Sequence, residues 1–328
     1  MILAGGFGTR LRPLTLTCPK PLVPVANVPI IRRIVEKLPD DVDKVVLAVN
    51  YKLEQLRDYF AHNDVGREVV LVEERQPLGT AGAIKNVEAE VDGPFFVFNG
   101  DVLDSLDLAS FRRFHEKRGG LGTISLWEVP DPRHFGVMEM DGERIVRFVE
   151  KPQTKEEAPS HLANAGTYLL EPEVFDFIPA GKAVSVERET FPALLQAGRR
   201  LHGFPFGGYW VDAGRPDTYL HANETVLHAA GRKVLLGPGT THEAATFDDW
   251  AVVGARCRVG AGATIARSVL LDGVTVGARA TVRDSIVGPG ARVGDDAVLV
   301  ECVVGEGAAI EKGLLLKNVK VDPAADAS

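Results

Sequence analysis

Near its start the chain carries a string of residues suited to holding an anion. Leu3-Ala4-Gly5-Gly6-Phe7-Gly8-Thr9-Arg10-Leu11-Arg12-Pro13-Leu14-Thr15 is followed closely by Pro19-Lys20-Pro21. Glycine has no Cβ and tolerates positive φ, so Gly5, Gly6 and Gly8 let a backbone approach an anion closely. Successive N–H groups in such a loop form an anion-binding concavity. Arg10 and Lys20 add mobile positive charge where the backbone supplies fixed dipoles. Pro19 and Pro21 restrict the backbone around Lys20, which fits a positioned ammonium. Two aspartates complete the inventory. Asp101 stands in Asn99-Gly100-Asp101 after an apolar run, and Asp212 in Trp210-Val211-Asp212-Ala213-Gly214. Mg²⁺ binds through one or two carboxylates plus substrate phosphate oxygens, so two strand-end aspartates would suffice.

The full string, G-G-x-G-T-R-L-x-P-L-T and then P-K-P, resembles the signature of the sugar-1-phosphate nucleotidylyltransferases. Within that family the chain is most similar to the mannose-1-phosphate guanylyltransferase branch. It departs from the family at its start, where the first strand opens at Met1-Ile2-Leu3 with little ahead of it. The resemblance implies in-line attack of a sugar-phosphate oxygen on the α-phosphorus of a nucleoside triphosphate, with pyrophosphate leaving. Such transfer is mostly positioning plus charge neutralisation, and it needs no protein nucleophile.

The resemblance also implies roles for individual residues. Arg10, Lys20, Asp101 and Asp212 form the catalytic set, with Asp101 and Asp212 holding Mg²⁺. Arg10 neutralises the β- and γ-phosphates, where a guanidinium fork suits bidentate contact. Lys20 sits near the α-phosphate, where charge builds in the transition state. Leu3, Ala4, Gly5, Gly6, Gly8, Thr9, Glu74, Gly79, Thr80, Asn99 and Gly100 join them around the nucleotide. Glu150-Lys151-Pro152 matches the family's sugar-site motif, with Glu150 accepting from sugar hydroxyls and Lys151 binding the sugar phosphate. Gly136 of Phe135-Gly136-Val137 and Asn164 of Asn164-Ala165-Gly166 complete that pocket.

Base choice rests on Glu73-Glu74-Arg75-Gln76-Pro77-Leu78-Gly79-Thr80-Ala81-Gly82, which resembles the guanylyltransferase form of this segment. Relatives that use thymidine nucleotides tend to carry glutamine where Glu74 stands. A carboxylate can accept from both N1–H and N2–H₂ of guanine, whereas thymine and uracil offer a single donor. The expected reaction is GTP plus mannose 1-phosphate giving GDP-mannose and pyrophosphate. The alternatives are transfer of dTMP or UMP to glucose 1-phosphate, a non-catalytic regulatory subunit of the same superfamily, and a hexapeptide acyltransferase. Retention of Arg10, Lys20, Asp101, Lys151 and Asp212 argues against catalytic decay. An acyltransferase would want a histidine on the repeats, and the only one after His228 is His242, at their atypical first turn.

These residues need a scaffold. Residues 1 to about 230 alternate β-branched runs (Lys44–Asn50, Glu68–Glu73, Pro94–Asn99) with helical patterns (Ile30–Leu38, Leu53–Ala61). Alternation of this kind predicts an α/β fold with a mostly parallel sheet. By resemblance this is the Rossmann-like mixed sheet of nucleotide-diphospho-sugar transferases. Ligands in such sheets sit at the carboxyl ends of strands, which is where the glycine loop and Asn99-Gly100-Asp101 fall.

The last hundred residues repeat every 17. Leu236, Val253, Leu270, Val287 and Val304 form one apolar column, Val259, Val276, Val293 and Ile310 a second, and Ile265, Val282, Leu299 and Leu316 a third. A fixed internal period means a solenoid, and three apolar corners per turn mean a triangular coil. It resembles the hexapeptide repeats of left-handed β-helices. His242 and Asp248 occupy inward phases of the first turn, which predicts a distorted junction. The expected domains are 1–230 for catalysis, 231–322 for the β-helix, and a loose tail over 323–328.

Composition bounds the partners. A formal charge of −8 and pI of 5.6 argue against nucleic acid, whose binders carry a basic face. Apolar residues are 45% and charged residues 25%, ordinary for a globular protein. No apolar run approaches the roughly 18 residues of a membrane span, and no basic segment leads into an apolar stretch as in a signal peptide. Cys18, Cys257 and Cys302 lack metal-ligand spacing. The reading is a cytoplasmic enzyme that takes a nucleotide and a hexose 1-phosphate, assembled as a homo-oligomer through its β-helix.

Overall fold

The computed structural model describes residues 1–325. The chain packs as two compact units. The first comprises Met1–Gly6 and Arg32–Trp210, and the second comprises Phe7–Ile31 and the chain from Val211 onward. The glycine loop therefore belongs to both, with the chain leaving the first unit after Gly6.

The first unit is built on a nine-stranded sheet. Its strands are β1 (Ile2–Leu3), β2 (Lys44–Val49), β3 (Glu68–Glu73), β4 (Phe95–Asn99), β5 (Gly122–Glu128), β6 (Gly136–Asp141), β7 (Arg144–Glu150), β8 (Leu162–Leu170) and β9 (Leu201–Pro205). The spatial order is β3-β2-β1-β4-β8-β5-β9-β7-β6. β1, β2, β3 and β4 are mutually parallel, β9 is parallel to β5, and β8 and β7 run antiparallel to their neighbours. The expected mixed, mostly parallel sheet is what the chain forms. Val45–Val49 of β2 are all buried, as a central parallel strand with both faces covered requires. Helices α1 (Leu53–His62), α2 (Gly79–Asn86) and α3 (Leu108–Arg118) connect strands. Asp107 caps α3 by accepting from Ala109 N–H at 3.0 Å.

In the second unit the chain from Val234 winds into a coil of short parallel strands. Val259 pairs with Val276, Val276 with Val293 and Val293 with Ile310, as the 17-residue period predicts. Inward residues form one continuous core, in which Val253, Ile265, Leu270, Val282, Val287, Leu299 and Val304 are fully enclosed. The polar ladder has the same spacing. Ser285 N–H donates to Ser268 Oγ at 3.1 Å, and Cys302 N–H to Ser285 Oγ at 2.9 Å. Arg267 bonds Asp284, and Arg279 bonds Asp296, each one turn further on.

Four details differ from the sequence reading. In the first turn, Phe247 takes the inward place given to Asp248. Phe247 pairs with Ile265 and Ala251 with Ser268, so the turn is one residue longer than its successors, and the extra residue is taken up by a register shift between Asp248 and Ala251. His242 keeps its register opposite Val259 but stays exposed, edge-on to the Phe247 ring at 5.4 Å. Leu236, expected in the first column, is 38% exposed because no turn lies below it. The start of the expected loose tail is tied down, since Ala324 N–H donates to Glu306 O at 2.8 Å. Residues 326–328 lie outside the described residues.

Beside the coil, helix α4 (Pro216–Ala229) packs on strands Thr246–Val253 and Thr264–Leu270. The outward-pointing Val252 and Val269 of these two strands are consequently buried as well. The segment Phe7–Ile31 contains a two-stranded hairpin, Pro24–Val25 with Val28–Pro29.

Candidate active site

Parallel strands end their backbones at one sheet edge, and in the first unit that edge gathers several of the expected residues. Leu3 and Asn99 are register partners, so Ala4–Gly6 after β1 and Gly100-Asp101 after β4 emerge side by side. Val49 and Glu73 are partners as well, which brings Asn50 and Glu74 to the same edge. A Cβ on Gly5 would lie 2.9 Å from Glu74 Oε1 and 3.5 Å from Asn50 Cγ. Glycine at this position leaves room for the carboxylate.

Glu74 is 6% exposed, and Leu78 N–H donates to its Oε2 at 3.3 Å. Burial pushes its carboxyl above the usual glutamate range, with the Leu78 N–H opposing in part. One oxygen is thus held by backbone while the other faces Gly5. Asn50 Oδ1 is buried beside it without a hydrogen-bond partner. Sequence reasoning placed Asn50 at a strand end but gave it no role. The available signal was that its strand neighbours the one preceding the glycine loop.

The expected sugar residues form a second group in this unit. Gly136 and Glu150 are cross-strand partners, and a Cβ on Gly136 would come 2.5 Å from Glu150 Oε2. Lys151 Nζ lies 3.6 Å from Glu150 Oε1, with the lysine side chain 56% exposed and the glutamate side chain 20%. The Lys151 backbone has φ 50°, anchored by its N–H on Phe135 O. Asn164 is already engaged at both ends of its amide. It donates to Tyr168 Oη at 2.8 Å and accepts from Gly166 N–H at 2.9 Å. Thr80 is engaged too, donating to Glu187 Oε2 at 2.9 Å and accepting from Val186 N–H. Tyr168 Oη donates in turn to Glu187 Oε1 at 3.4 Å. A chain Thr80–Glu187–Tyr168–Asn164 therefore joins the expected nucleotide segment to the expected sugar segment. Glu187 stands in an irregular helical turn with no motif around it, and sequence reasoning missed it.

The second unit gathers the cations. Gly8 has φ 60°, and its carbonyl accepts from Thr15 Oγ1 at 2.7 Å, closing the loop that carries Thr9 and Arg10. Lys20 opens a short helical turn and is 8% exposed, an unusual state for a lysine that is not positioned. At Gly214 a Cβ would meet Asp212 Oδ1 at 2.6 Å, Arg10 Nη2 at 2.9 Å and Lys20 Nζ at 3.1 Å. Three charged groups from distant parts of the sequence converge on one small volume that only glycine leaves open. An arginine and a lysine brought to one volume are groups suited to hold a polyphosphate.

Among the described residues no three His, Cys, Asp or Glu side chains gather as a cage. The carboxylate of Asp212 beside the Gly214 space, and Asp101 at its strand end, offer oxygen alone. That fits a hard divalent cation completed by phosphate oxygens and water. Among the described residues, too, no helix is long and apolar enough to cross a membrane.

An α/β sheet with a glycine loop at its carboxyl edge, an arginine and a lysine gathered with an aspartate beside Gly214, and a parallel β-coil together describe a sugar-nucleotide-forming transferase. The nucleotidyl transferase family profile matches residues 1–229, and the chain belongs to that family. A profile described as the GMPPB C-terminal domain matches residues 232–327. A mannose-1-phosphate guanylyltransferase of Mycobacterium tuberculosis is 37% identical over 84% of this chain and 80% of its own length. A mannose-1-phosphate guanyltransferase of Kluyveromyces lactis is 41% identical over 71% of this chain, but the match takes up only 66% of that protein. Among solved structures, HddC from Yersinia pseudotuberculosis complexed with GMP-PN is 31% identical with a TM-score of 0.58, covering 69% of this chain and 97% of HddC. A putative glucose-1-phosphate thymidylyltransferase from Bacillus anthracis is 26% identical with a TM-score of 0.63, covering 72% and 96%.

Proposed function

We propose that the protein transfers GMP from GTP to mannose 1-phosphate, forming GDP-mannose and pyrophosphate. The observation that carries the reading is the convergence of Arg10, Lys20 and Asp212 around Gly214. In the reaction an oxygen of the sugar phosphate bonds to the α-phosphorus, and the bond from that phosphorus to the oxygen bridging the β-phosphate breaks. The electron pair leaves with pyrophosphate. Lys20 stabilises the charge that builds on the α-phosphoryl oxygens, and Arg10 holds the departing β- and γ-phosphates. Asp101 and Asp212 hold the divalent cation, which we assign as Mg²⁺. When bound, that ion neutralises phosphate charge.

In the first unit Glu74 accepts from guanine through the oxygen that faces Gly5, with Asn50 beside it. Leu3–Gly6, Gly79 and Asn99–Asp101 line the nucleotide, while Gly136, Glu150, Lys151 and Asn164 receive the sugar phosphate. Asn164 and Thr80 act through the bonds they already make, setting the pocket's shape. Residues 1–230 carry the chemistry, and 231–322 form the repeat domain through which copies assemble in the cytoplasm. The names of the relatives support this choice of sugar, and the GMP-PN complex of HddC supports this choice of base.

The test is a substrate matrix. Purified protein with Mg²⁺ is given GTP, dTTP, UTP or ATP with mannose 1-phosphate or glucose 1-phosphate, and pyrophosphate is measured. GTP with mannose 1-phosphate should give the highest kcat/KM. A preference for dTTP or UTP would overturn the base assignment, and no pyrophosphate from any pair would overturn the reaction.

A further inference from the structure

Lys20 and Asp212 lie 192 positions apart in number but are held by a single element, α4, and that element rests on the coil. Asp212 and Gly214 immediately precede the helix, whose N-cap is Arg215. Lys20 opens the helical turn Lys20–Leu22 that leads, through Val23, into the hairpin Pro24–Pro29, and backbone bonds make the connection stiff. Val23 N–H donates to Lys20 O at 3.1 Å, and Ile30 N–H to Val23 O at 3.2 Å.

The hairpin is fastened at three points. Tyr219 Oη of α4 donates to Pro24 O. Ala26 N–H donates to Asn223 Oδ1 at 2.8 Å, and Asn223, fully buried, steadies itself by donating to Tyr219 O at 2.9 Å. Asn27 Nδ2 donates to Val253 O at 2.8 Å, and Val253 belongs to the coil's first full strand. The two turn residues, Ala26 and Asn27, have φ of 46° and 60°. Positive φ at both central residues makes this a type I′ turn, a conformation that asparagine tolerates better than most residues. The turn conformation thus aims the Asn27 amide out of the hairpin and onto the coil. Nothing in the sheet unit is needed for this clamp, since every member lies within the second unit.

We infer that Asn27 and Asn223 are positioning residues for the phosphate-gripping pair, and that the coil, through Val253 O, is a working part of that grip. The inference rests on the proposed roles of Arg10 and Lys20. A hairpin released from the coil would let Lys20 drift from Asp212 and Gly214. Displacement of a positioned group by about 1 Å costs on the order of 100-fold in rate.

Asn27→Gly tests this in the full-length protein, because glycine keeps the left-handed φ and deletes only the amide. Asn27→Asp is its companion, keeping shape and φ while setting a carboxylate against Val253 O. Two readouts are taken together. Steady-state kinetics should show KM for the triphosphate raised and kcat/KM lowered ~10- to 100-fold, with KM for the sugar phosphate unchanged and Asn27→Asp at least as impaired as Asn27→Gly. Amide hydrogen exchange should rise across Phe7–Leu22, beyond the hairpin itself. Exchange confined to residues 24–29, with triphosphate KM at the wild-type value, would overturn the inference and leave Asn27 a local stabiliser. Wild-type protein inactive with every substrate pair would overturn the proposed reaction instead, and exchange across Phe7–Leu22 would still decide the coupling.

Discussion

The two units solve opposite problems. The coil repeats one solution, placing small apolar residues inside and acid–base pairs one turn apart outside. Arg267 meets Asp284 and Arg279 meets Asp296, so charge is matched locally. The loop that rests on the same coil does the reverse. It gathers Arg10, Lys20 and Asp212 around the one small volume beside Gly214. A fold that pairs Arg267 and Arg279 one to one along the coil, yet brings two cations to one point, marks that point as a place for an anion. Like charges brought close repel, and a ligand of opposite charge offsets that repulsion. The sheet unit differs again. There the polar groups form mixed short chains, such as Thr80–Glu187–Tyr168–Asn164, that fix shape.

The largest way to break this contrast is to remove the anion-holding chemistry while keeping the fold. Asp101→Asn and Asp212→Asn should each lower kcat by about 10³-fold or more, with an unfolding midpoint close to wild type. Retention of a tenth of the activity at saturating Mg²⁺ would show that the cation is held elsewhere. Next in size is a break in the coil. A Cβ on Gly277 would come 2.7 Å from Gly294 C on the following turn. Gly277→Val should therefore cost about 1–3 kcal/mol of stability by overpacking, read from denaturant unfolding. An unchanged midpoint would mean the turns are looser than they look.

A smaller effect concerns Glu74, whose carboxyl is raised by burial. Relative to the unfolded chain it contributes stability below the ordinary glutamate pKa, and that contribution is lost as pH rises through the raised native value. Only the carboxylate accepts both guanine donors, so kcat/KM for GTP should fall as pH drops through the raised value. The Glu74→Gln profile should lack that limb, and an identical limb in the variant would assign it to another group. The smallest effect belongs to the coil surface. Arg279 and Asp296 are 62% and 40% exposed, and such pairs contribute little. Arg279→Ala should leave both the melting temperature and activity within error, and a clear loss of either would give the outer ladder a role it is not assigned here.

Much of this was readable in the sequence, but unevenly. The coil's inward columns were legible because one period repeats, and each turn confirms the last. The first turn failed for the same reason, since one added residue between Asp248 and Ala251 shifts the phase and puts Phe247 where Asp248 was counted. The catalytic cations were legible by motif, because phosphate chemistry demands glycine, arginine and lysine at close spacing. Glu187 and Asn50 carried no such mark, their positions being set by strand register and an irregular turn. Nor could the sequence reveal that Phe7–Ile31 packs with the coil. That depends on side-chain bonds such as Asn27 to Val253 O, between residues far apart in the chain.

The central claim is that the residues gripping phosphate and the residue choosing the base are separate, the former in the coil-bearing unit and the latter in the sheet unit. It is tested most directly by the ratio of kcat/KM for GTP to that for dTTP, measured with mannose 1-phosphate in wild type, Lys20→Ala and Glu74→Gln. Lys20→Ala should slow both nucleotides together by about 100-fold or more and leave the ratio unchanged. Glu74→Gln should lower the ratio by roughly 30- to 150-fold, the equivalent of about 2–3 kcal/mol in one charge-assisted pair. A ratio that collapses in Lys20→Ala, or survives intact in Glu74→Gln, would contradict the account.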